Sequence, residues 1–446
     1  MKIASLISTL RAFKSEKRLQ FTNREDLECY QQIRLTELAK KVVNTSPYFS
    51  QFSGLAIEHW PAMNKASMLQ HFDTMNTAKL NLTDVFSLAM QAEKTRDFSA
   101  RVGKFTVGLS SGTSGQRGVF AVSQVETACW AGVILAKMLP SSFALKHLVK
   151  QEKVAFFLRA NSYLYQSVRS PWLRFCFFDL FSPMLENIHQ LQVLQPTVLI
   201  APAQVLRYLA IKKQAGELAI APKKIISVAE VLSDEDKHFI QQAFFQDVLQ
   251  PVHQIYQATE GLLATTCALG NLHLNETHLH IQPHWLDVDK KRFNPIITDF
   301  TRTTQPIINY FLNDVLVIAD QACTCGQVSR TIAHIEGRND DVLLLPNLTG
   351  GRMPIFSDML TRAFSRSLPF TADYQLVQSS ENTLSLSANI SQYELAEVSA
   401  KLVGDLKVLG VDVALLHWQL SAQLPNTDFT TKKRRIINLV KAYPTL

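Results

Sequence analysis

Apolar positions along the chain switch between two periods in an ordered way. Ile3, Leu6, Ile7 and Leu10 recur at helical spacing, as do Leu35, Leu38, Ala39 and Val42, which predicts two helices with core-facing stripes. Residues 21–80 read as helices broken near Ser46-Pro47 and Trp60-Pro61, where proline cannot continue a helical turn. Over 104–123 the pattern turns to strand character around a glycine-rich loop, and a helix is predicted from Gln124 through Leu139. "KVAFFL" (153–158) and "PTVLIA" (196–201) read as buried strands, each followed by a helical stretch, and residues 223–244 repeat that order. Strands alternating with helices predict a largely parallel, covered sheet. From 262 to 335 short alternating strands take over, with an antiparallel character. A break at "GRNDD" (337–341) precedes a tail with its own strand and helix signals. The expected architecture is α/β: a large N-terminal region over 1–338 with a β-rich subdomain at about 262–335, then a small α+β domain over 339–446.

Length supports more than one core, since 446 residues exceed what a single core normally organises. The net charge of +7 comes from 45 Lys+Arg against 38 Asp+Glu, and its one dense block is Lys432, Lys433, Arg434 and Arg435. That balance suits small polyanions such as ATP, pyrophosphate or coenzyme A. A nucleic-acid surface would be more basic and would carry a reading module, so nucleic acid is not an expected partner. No apolar run approaches the roughly 20 residues of a membrane span. The N-terminal apolar stretch is cut by Arg11 and lacks a small-residue cleavage pattern, unlike a signal peptide. Six cysteines in such a chain read as reduced thiols or metal ligands, and the expected location is cytoplasmic.

Two segments carry chemistry on residue type alone. In "SSGTSGQRG" (110–118), glycines at 112, 115 and 118 let the backbone bring N–H groups to a polyanion, and Ser110, Ser111, Thr113 and Ser114 add hydroxyl donors. No Gly-Lys-Ser/Thr follows, so this is not a P-loop. An ordinary hairpin turn and a Gly108-x-Ser110-x-Gly112 hydrolase elbow are the competing readings; the elbow needs a helix after the serine, whereas "GVFAVS" alternates like a strand. The second segment set is Cys267, His273, Cys323 and Cys325, whose thiolate and imidazole donors suit tetrahedral zinc, with Gly326 allowing a tight knuckle. Unliganded thiols beside a satisfied histidine are the alternative, and His278 and His280 are alternates to His273.

Five segments in order then resemble a known family. "SSGTSG" resembles the phosphate loop of the adenylate-forming superfamily, "IYQATEG" (255–261) its Tyr-Gly-x-Thr/Ser-Glu segment, and "PIINYFLNDV" (306–315) the segment ending in its ribose-binding aspartate. "IEGRNDD" (335–341) resembles the Gly-Arg-x-Asp-Asp hinge, and "TKKRRII" (431–437) the C-terminal lysine segment. "SVAEVLS" and "CTCG" are most similar to the phenylacetate–CoA ligase branch and its deazaflavin-adenylating relatives. The resemblance implies an enzyme that adenylates a small carboxylic acid with ATP and passes the acyl group on, most readily to coenzyme A, otherwise to a carrier protein, amine or alcohol. It assigns nucleotide contacts to Ser110, Ser111, Gly112, Thr113, Ser114, Gly115 and Thr259. Glu260 would ligate Mg²⁺. Asp314 and Arg338 would hold the ribose, and Tyr256 would stack near the adenine beside Ala229 and Glu230. Lys432 would neutralise charge at the α-phosphate, with Lys433 an adjacent rival. Asp340 would be the hinge of a mobile C-terminal domain. A homodimer is compatible with this branch.

The chain departs from the family pattern at four places. Gln257 stands where glycine is customary, Asn309 where arginine is common, Thr431 where glycine is usual, and Arg117 is the nearest cation after the loop. These changes bear on the second half-reaction more than on ATP binding; a serine hydrolase at Ser110 and a non-catalytic nucleotide-binding protein are the alternatives from other classes. The aromatic-rich stretch 155–181 is the expected source of an apolar acid pocket.

Overall fold

The computed structural model describes residues 3–97, 100–110, 117–138, 151–159, 173–247, 249–369, 372–425, 429 and 432–440. Three short strands come first: β1 (Arg101–Val102), β2 (Phe105–Leu109) and β3 (Val119–Val122), an antiparallel sheet in that order. Next come β4 (Glu152–Leu158), β5 (Leu173–Asp179), β6 (Val198–Ala201), β7 (Lys224–Val228) and β8 (His253–Ala258). These pair in parallel, in the order β8-β7-β6-β4-β5. Their central members are apolar on both faces, as a parallel sheet covered on both sides requires.

The sheet does not stop there. β9 (Gly261–Thr266) pairs antiparallel with β8, and β10 (Leu272–Leu274), β11 (Leu279–Trp285), β12 (Arg292–Asp299), β13 (Tyr310–Phe311), β14 (Asp314–Ile318) and β15 (Thr331–Arg338) extend it. Among the described residues one twelve-stranded sheet results, parallel at one end and antiparallel at the other. Helices Met184–Leu194, Ala203–Gln214 and Asp234–Phe244 cover one face of the parallel half. Helix Arg24–Thr45 packs Leu35, Leu38 and Val42 onto the antiparallel half. Ser46 then caps the short helix Pro47–Ser50, so the chain breaks where proline demands it.

The tail has its own core. β16 (Leu343–Pro346) and β17 (Arg352–Ile355) form a hairpin. β18 (Tyr374–Gln378), β19 (Thr383–Ala388), β20 (His417–Ser421) and β21 (Ile436–Asn438) form a four-stranded sheet ordered β20-β19-β18-β21. Helix Gln392–Val408 packs Leu395, Val398 and Leu402 against it. The mixed α/β fold thus agrees with the periodicities of the sequence.

One helix turns a different face inward than its apolar spacing predicts. Helix Ile3–Arg18 lies against helix Gln124–Met138, where a Cβ on Gly132 would come within 2.5 Å of the Thr9 carbonyl oxygen. Thr9 is buried, whereas Leu6, Ile7 and Leu10 are 38%, 44% and 47% exposed. Close approach at glycine and the Glu16–His278 and Glu16–Lys137 ion pairs set the orientation instead of the leucine stripe. No described helix is long and apolar enough to cross a membrane.

Candidate active site

The glycine-rich segment is a hairpin connection. Leu109 faces Val119 across β2 and β3, the Ser110 amide donates to the Gly118 carbonyl (2.8 Å), and the Gly118 amide donates to Ser110 Oγ (2.8 Å). Ser110 is therefore buried and clamps the neck of the loop. A hydrolase elbow runs from strand into helix and leaves its serine exposed. Here β3 follows the loop, and the Ser110 oxygen is used by the backbone, so the geometry overturns the hydrolase alternative at Ser110. Ser111, Gly112, Thr113, Ser114 and Gly115 lie outside the described residues.

A cavity of about 1410 Å³ opens beside this neck. β14 and β15 bring Asp314 opposite Arg338 in register, and Arg338 Nε lies 3.4 Å from Asp314 Oδ1. The Tyr256 hydroxyl, at the end of β8, donates to Asp314 Oδ2. Burial, reinforced by the Asp314 carboxylate, pushes this hydroxyl well above the usual tyrosine range, so it remains a donor. Tyr256 is thus an anchor for Asp314 as well as a wall of the cavity.

Thr259 and Glu260 form the two-residue turn between β8 and β9, where Ala258 faces Gly261. The Thr259 carbonyl accepts from Arg302 Nη1 at 3.1 Å. Glu260 hydrogen-bonds with the Tyr310 hydroxyl, which burial and that carboxylate push up. Lys65 reaches the same cavity from the first turn of helix Lys65–Gln70, capped by Asn64. Burial lowers its ammonium pKa, and the Glu260 carboxylate opposes that shift. Sequence reasoning missed Lys65, although a lysine in the first turn sits against the helix dipole and so stands out as unfavourable.

Ala229 adopts φ 66°, a strained left-handed conformation for a residue with a side chain, at the end of β7. The next carboxylate, Glu230, accepts from Arg159 Nη2 (2.6 Å) and Gln204 Nε2 (3.0 Å). Both residues line the cavity, but Glu230 is committed to shaping it.

The basic run divides its work. Lys433 pairs with Asp373, Arg434 Nε with Asp341 (2.9 Å), and Arg435 with Asp236 (3.1 Å). Lys432 has no carboxylate salt-bridge partner among the described residues and lines the cavity. Burial lowers its pKa; nearby Arg338 adds to the shift and Asp314 opposes it. Asp340, the hinge candidate, accepts from Asn313 Nδ2 at 3.3 Å. Gly337 just before it has φ 136°, open to glycine alone without strain.

The departures acquire local reasons. Asn309 adopts φ 44° and donates to the Ile57 and Trp60 carbonyls (2.8 and 2.9 Å), tying the N-terminal helices to the sheet. Arg117 pairs with Glu93 at the cavity rim. Gln257 also lines the cavity.

Away from the cavity, one donor atom each from Cys267, His273, Cys323 and Cys325 lie within 4.8 Å of one another. The Cys267 and Cys323 sulfurs are 3.8 Å apart, close to the edge of roughly 3.8 Å that Zn–S bonds of about 2.3 Å give a tetrahedron. His273 turns Nε2 toward Cys325 Sγ (3.4 Å), while Nδ1 meets the Ser329 carbonyl (3.2 Å), which fixes the ring as outer partners of metal ligands do. Burial disfavours the Cys323 thiolate, but donors led by Asn271 Nδ2 outweigh it and hold the thiol down to about 6. The donor set fits zinc.

No protein-family model matches the chain. Its sequence is 26% identical over 113 residues to a phenylacetate-coenzyme A ligase of Thermus thermophilus, an alignment covering 25% of this chain and 24% of that protein. The structure matches 2-hydroxyisobutyryl-CoA ligase in the postadenylation state with its 2-HIB-AMP adenylate. That match has a TM-score of 0.66 at 13% identity and covers 94% of this chain and 91% of that one. Against the same ligase in the thioesterification state the score is 0.51, with 14% identity over 94% and 90% of the two chains. An acyl acid amido synthetase also matches, with a TM-score of 0.51 and 10% identity over 86% and 82%. The chain thus shares the fold of these ligase structures, and about a quarter of it is similar in sequence to a phenylacetate-coenzyme A ligase.

Proposed function

We propose that the chain uses ATP to activate a carboxylic acid and then transfers the acyl group to coenzyme A. The observation that carries this reading is the convergence of Glu260, the Asp314–Tyr256 pair, Arg338 and Lys432 on one cavity beside the Ser110–Gly118 hairpin. Asp314 would accept from, and Arg338 donate to, ribose hydroxyls, and Ser110 ties the neck of the loop that would cradle the phosphates. In the first step a carboxylate oxygen bonds to the α-phosphorus, and the bond to pyrophosphate breaks. Catalysis is positioning plus charge neutralisation by Lys432 and Lys65. Glu260 is the hard oxygen donor for Mg²⁺, which supplies further charge neutralisation on the phosphates.

Transfer follows once the tail swings about Asp340 and withdraws Lys432: the coenzyme A sulfur bonds to the acyl carbon, the thiol proton is lost to solvent, and the acyl–oxygen bond breaks to release AMP. A carrier protein is the alternative acceptor. Residues 1–338 then act as the adenylation unit and 339–446 as the moving domain. The four-residue Cys/His site holds structural zinc, and the protein works in the cytoplasm.

The test is acid-dependent pyrophosphate–ATP exchange. Exchange that requires both an acid and Glu260 supports the proposal. Tight ATP binding with no exchange across a broad acid panel identifies a nucleotide-binding remnant instead.

A further inference from the structure

The parallel half of the sheet finishes its two faces differently. Side chains alternate along each strand. On one face Ala155, Phe157, Leu199 and Ile225 close against helices in a filled core. On the other, Val154, Phe156, Phe175, Ile200 and Ile255 look toward helix Gln124–Met138, and the cavity runs between strand and helix. Trp130, Met138, Leu158, Phe175 and Val228 line it and are only partly buried among the described residues. Lining residues on the helix run from Glu126 to Met138, about 18 Å of helical rise. The nucleotide-site residues Glu260, Asp314 and Lys432 occupy one end only.

The charges bordering this wall are already committed. The Glu126 carboxylate accepts from the amides of Ser123 (2.6 Å), Thr303 (2.6 Å) and Thr304 (2.7 Å), and from Thr304 Oγ1 (2.5 Å). Lys137 is bound to Glu16 at 2.8 Å. At the far end Lys224 Nζ donates to the Met138 carbonyl (2.6 Å), capping the helix C-terminus. A second carboxylate or an ammonium group on the substrate would lie among apolar side chains beside charges already paired, at a cost in desolvation. A small hydroxy acid would leave most of the apolar wall uncovered.

Resting on the adenylation reading above, the geometry points to a long-chain hydrophobic monocarboxylic acid as the substrate. Its carboxylate lies at the Glu260 and Lys432 end, and its alkyl body lies along helix Gln124–Met138 toward Met138. The channel suits a chain on the order of ten carbons. Affinity gains about fourfold per methylene until the far wall is reached.

The test uses the full-length protein and a straight-chain series from acetate to hexadecanoate, with 2-hydroxyisobutyrate, succinate and glycine as contrasts. Direct binding is followed by equilibrium dialysis, and adenylation by pyrophosphate exchange. The expected result is a kcat/KM for exchange that climbs to an optimum near decanoate or dodecanoate. Met138→Trp, at the half-buried far end, should move the optimum at least two carbons shorter, and Met138→Ala should move it longer. Exchange that favours the short or polar acids, with a flat chain series, overturns the channel and leaves adenylation standing. Dodecanoate binding sensitive to Met138→Trp, with no exchange, upholds the channel and removes adenylation. Absence of both binding and exchange overturns both.

Discussion

Replacing Lys432 by methionine is the most informative single perturbation of the proposed chemistry. The ammonium lines the cavity together with Lys65, Arg338, Glu260 and Asp314, among other charged residues. A unit charge about 4 Å from a developing oxyanion contributes roughly 4 kcal/mol at an effective dielectric of about 20. Losing one preorganised donor of this kind costs about 10²–10³ in rate. Lys432→Met should therefore slow acyl-adenylate formation, read by rapid quench in a single turnover, by two to three orders of magnitude. Thioester formation from pre-formed adenylate and coenzyme A should change less than about threefold, because the proposed tail rotation would have withdrawn Lys432 by then. Burial lowers the Lys432 pKa, so its charge is present at low pH and lost as pH rises, before an ordinary lysine would lose it. Adenylation should fall along that alkaline limb, and Lys432→Arg should remove the limb because guanidinium stays charged. A drop of less than fivefold in Lys432→Met, or equal losses in both half-reactions, would refute the assignment.

Four further outcomes are expected. Asp314→Ala should weaken ATP binding by at least tenfold in calorimetry, since charge-assisted hydrogen bonds are worth about 1.5–3 kcal/mol, and unchanged affinity would remove its ribose role. Mildly purified protein should contain about one zinc per chain, lost with a lower Tm in Cys325→Ser; metal near zero would count against the site. Asp236 lies between Arg207 and Arg435, joining the sheet helices to the tail, so Asp236→Ala should destabilise by about 3–5 kcal/mol through the buried guanidiniums it leaves unpaired. An unaltered Tm would contradict that. Burial opposes the Glu16 carboxylate, but His278 and Lys137 outweigh it and hold the group down to about 2. Its contribution to stability should be complete above about pH 5 and disappear as pH falls toward 2; Glu16→Gln should flatten that dependence in acid melts.

Periodicity revealed the strand–helix alternation and the later change to antiparallel strands because both depend on local side-chain alternation. It did not reveal that the two regions share one sheet, since the joining turn at Thr259-Glu260 looks like any two-residue loop. Glu260, Asp314 and Lys432 were legible as ordered motifs, and the cavity holds all three. The choice between Lys432 and Lys433 was not, because it depends on Asp373, more than fifty residues away in sequence. Lys65 was hidden for the same reason: its partners come from elements far along the chain. The outward Leu6, Ile7 and Leu10 show the limit of apolar spacing, where one glycine at position 132 and an ion-paired Glu16 decide how a helix lies.

Asp314 and Arg338 face one another on neighbouring strands, and two residues later the chain reaches Asp340. Asp341 there takes the Arg338 amide and the Arg434 guanidinium on the same carboxylate group. On the proposed reading, a swivel that begins beside the residues assigned to the ribose cannot turn without being felt by the sugar. Thermodynamic reciprocity then sets a quantitative demand. Whatever factor bound ATP contributes to one orientation of the tail, a substitution that fixes that orientation must return to ATP affinity. Engineered changes at Arg434, whose guanidinium is held by Asp341, would thus be read out as altered dissociation constants for ATP.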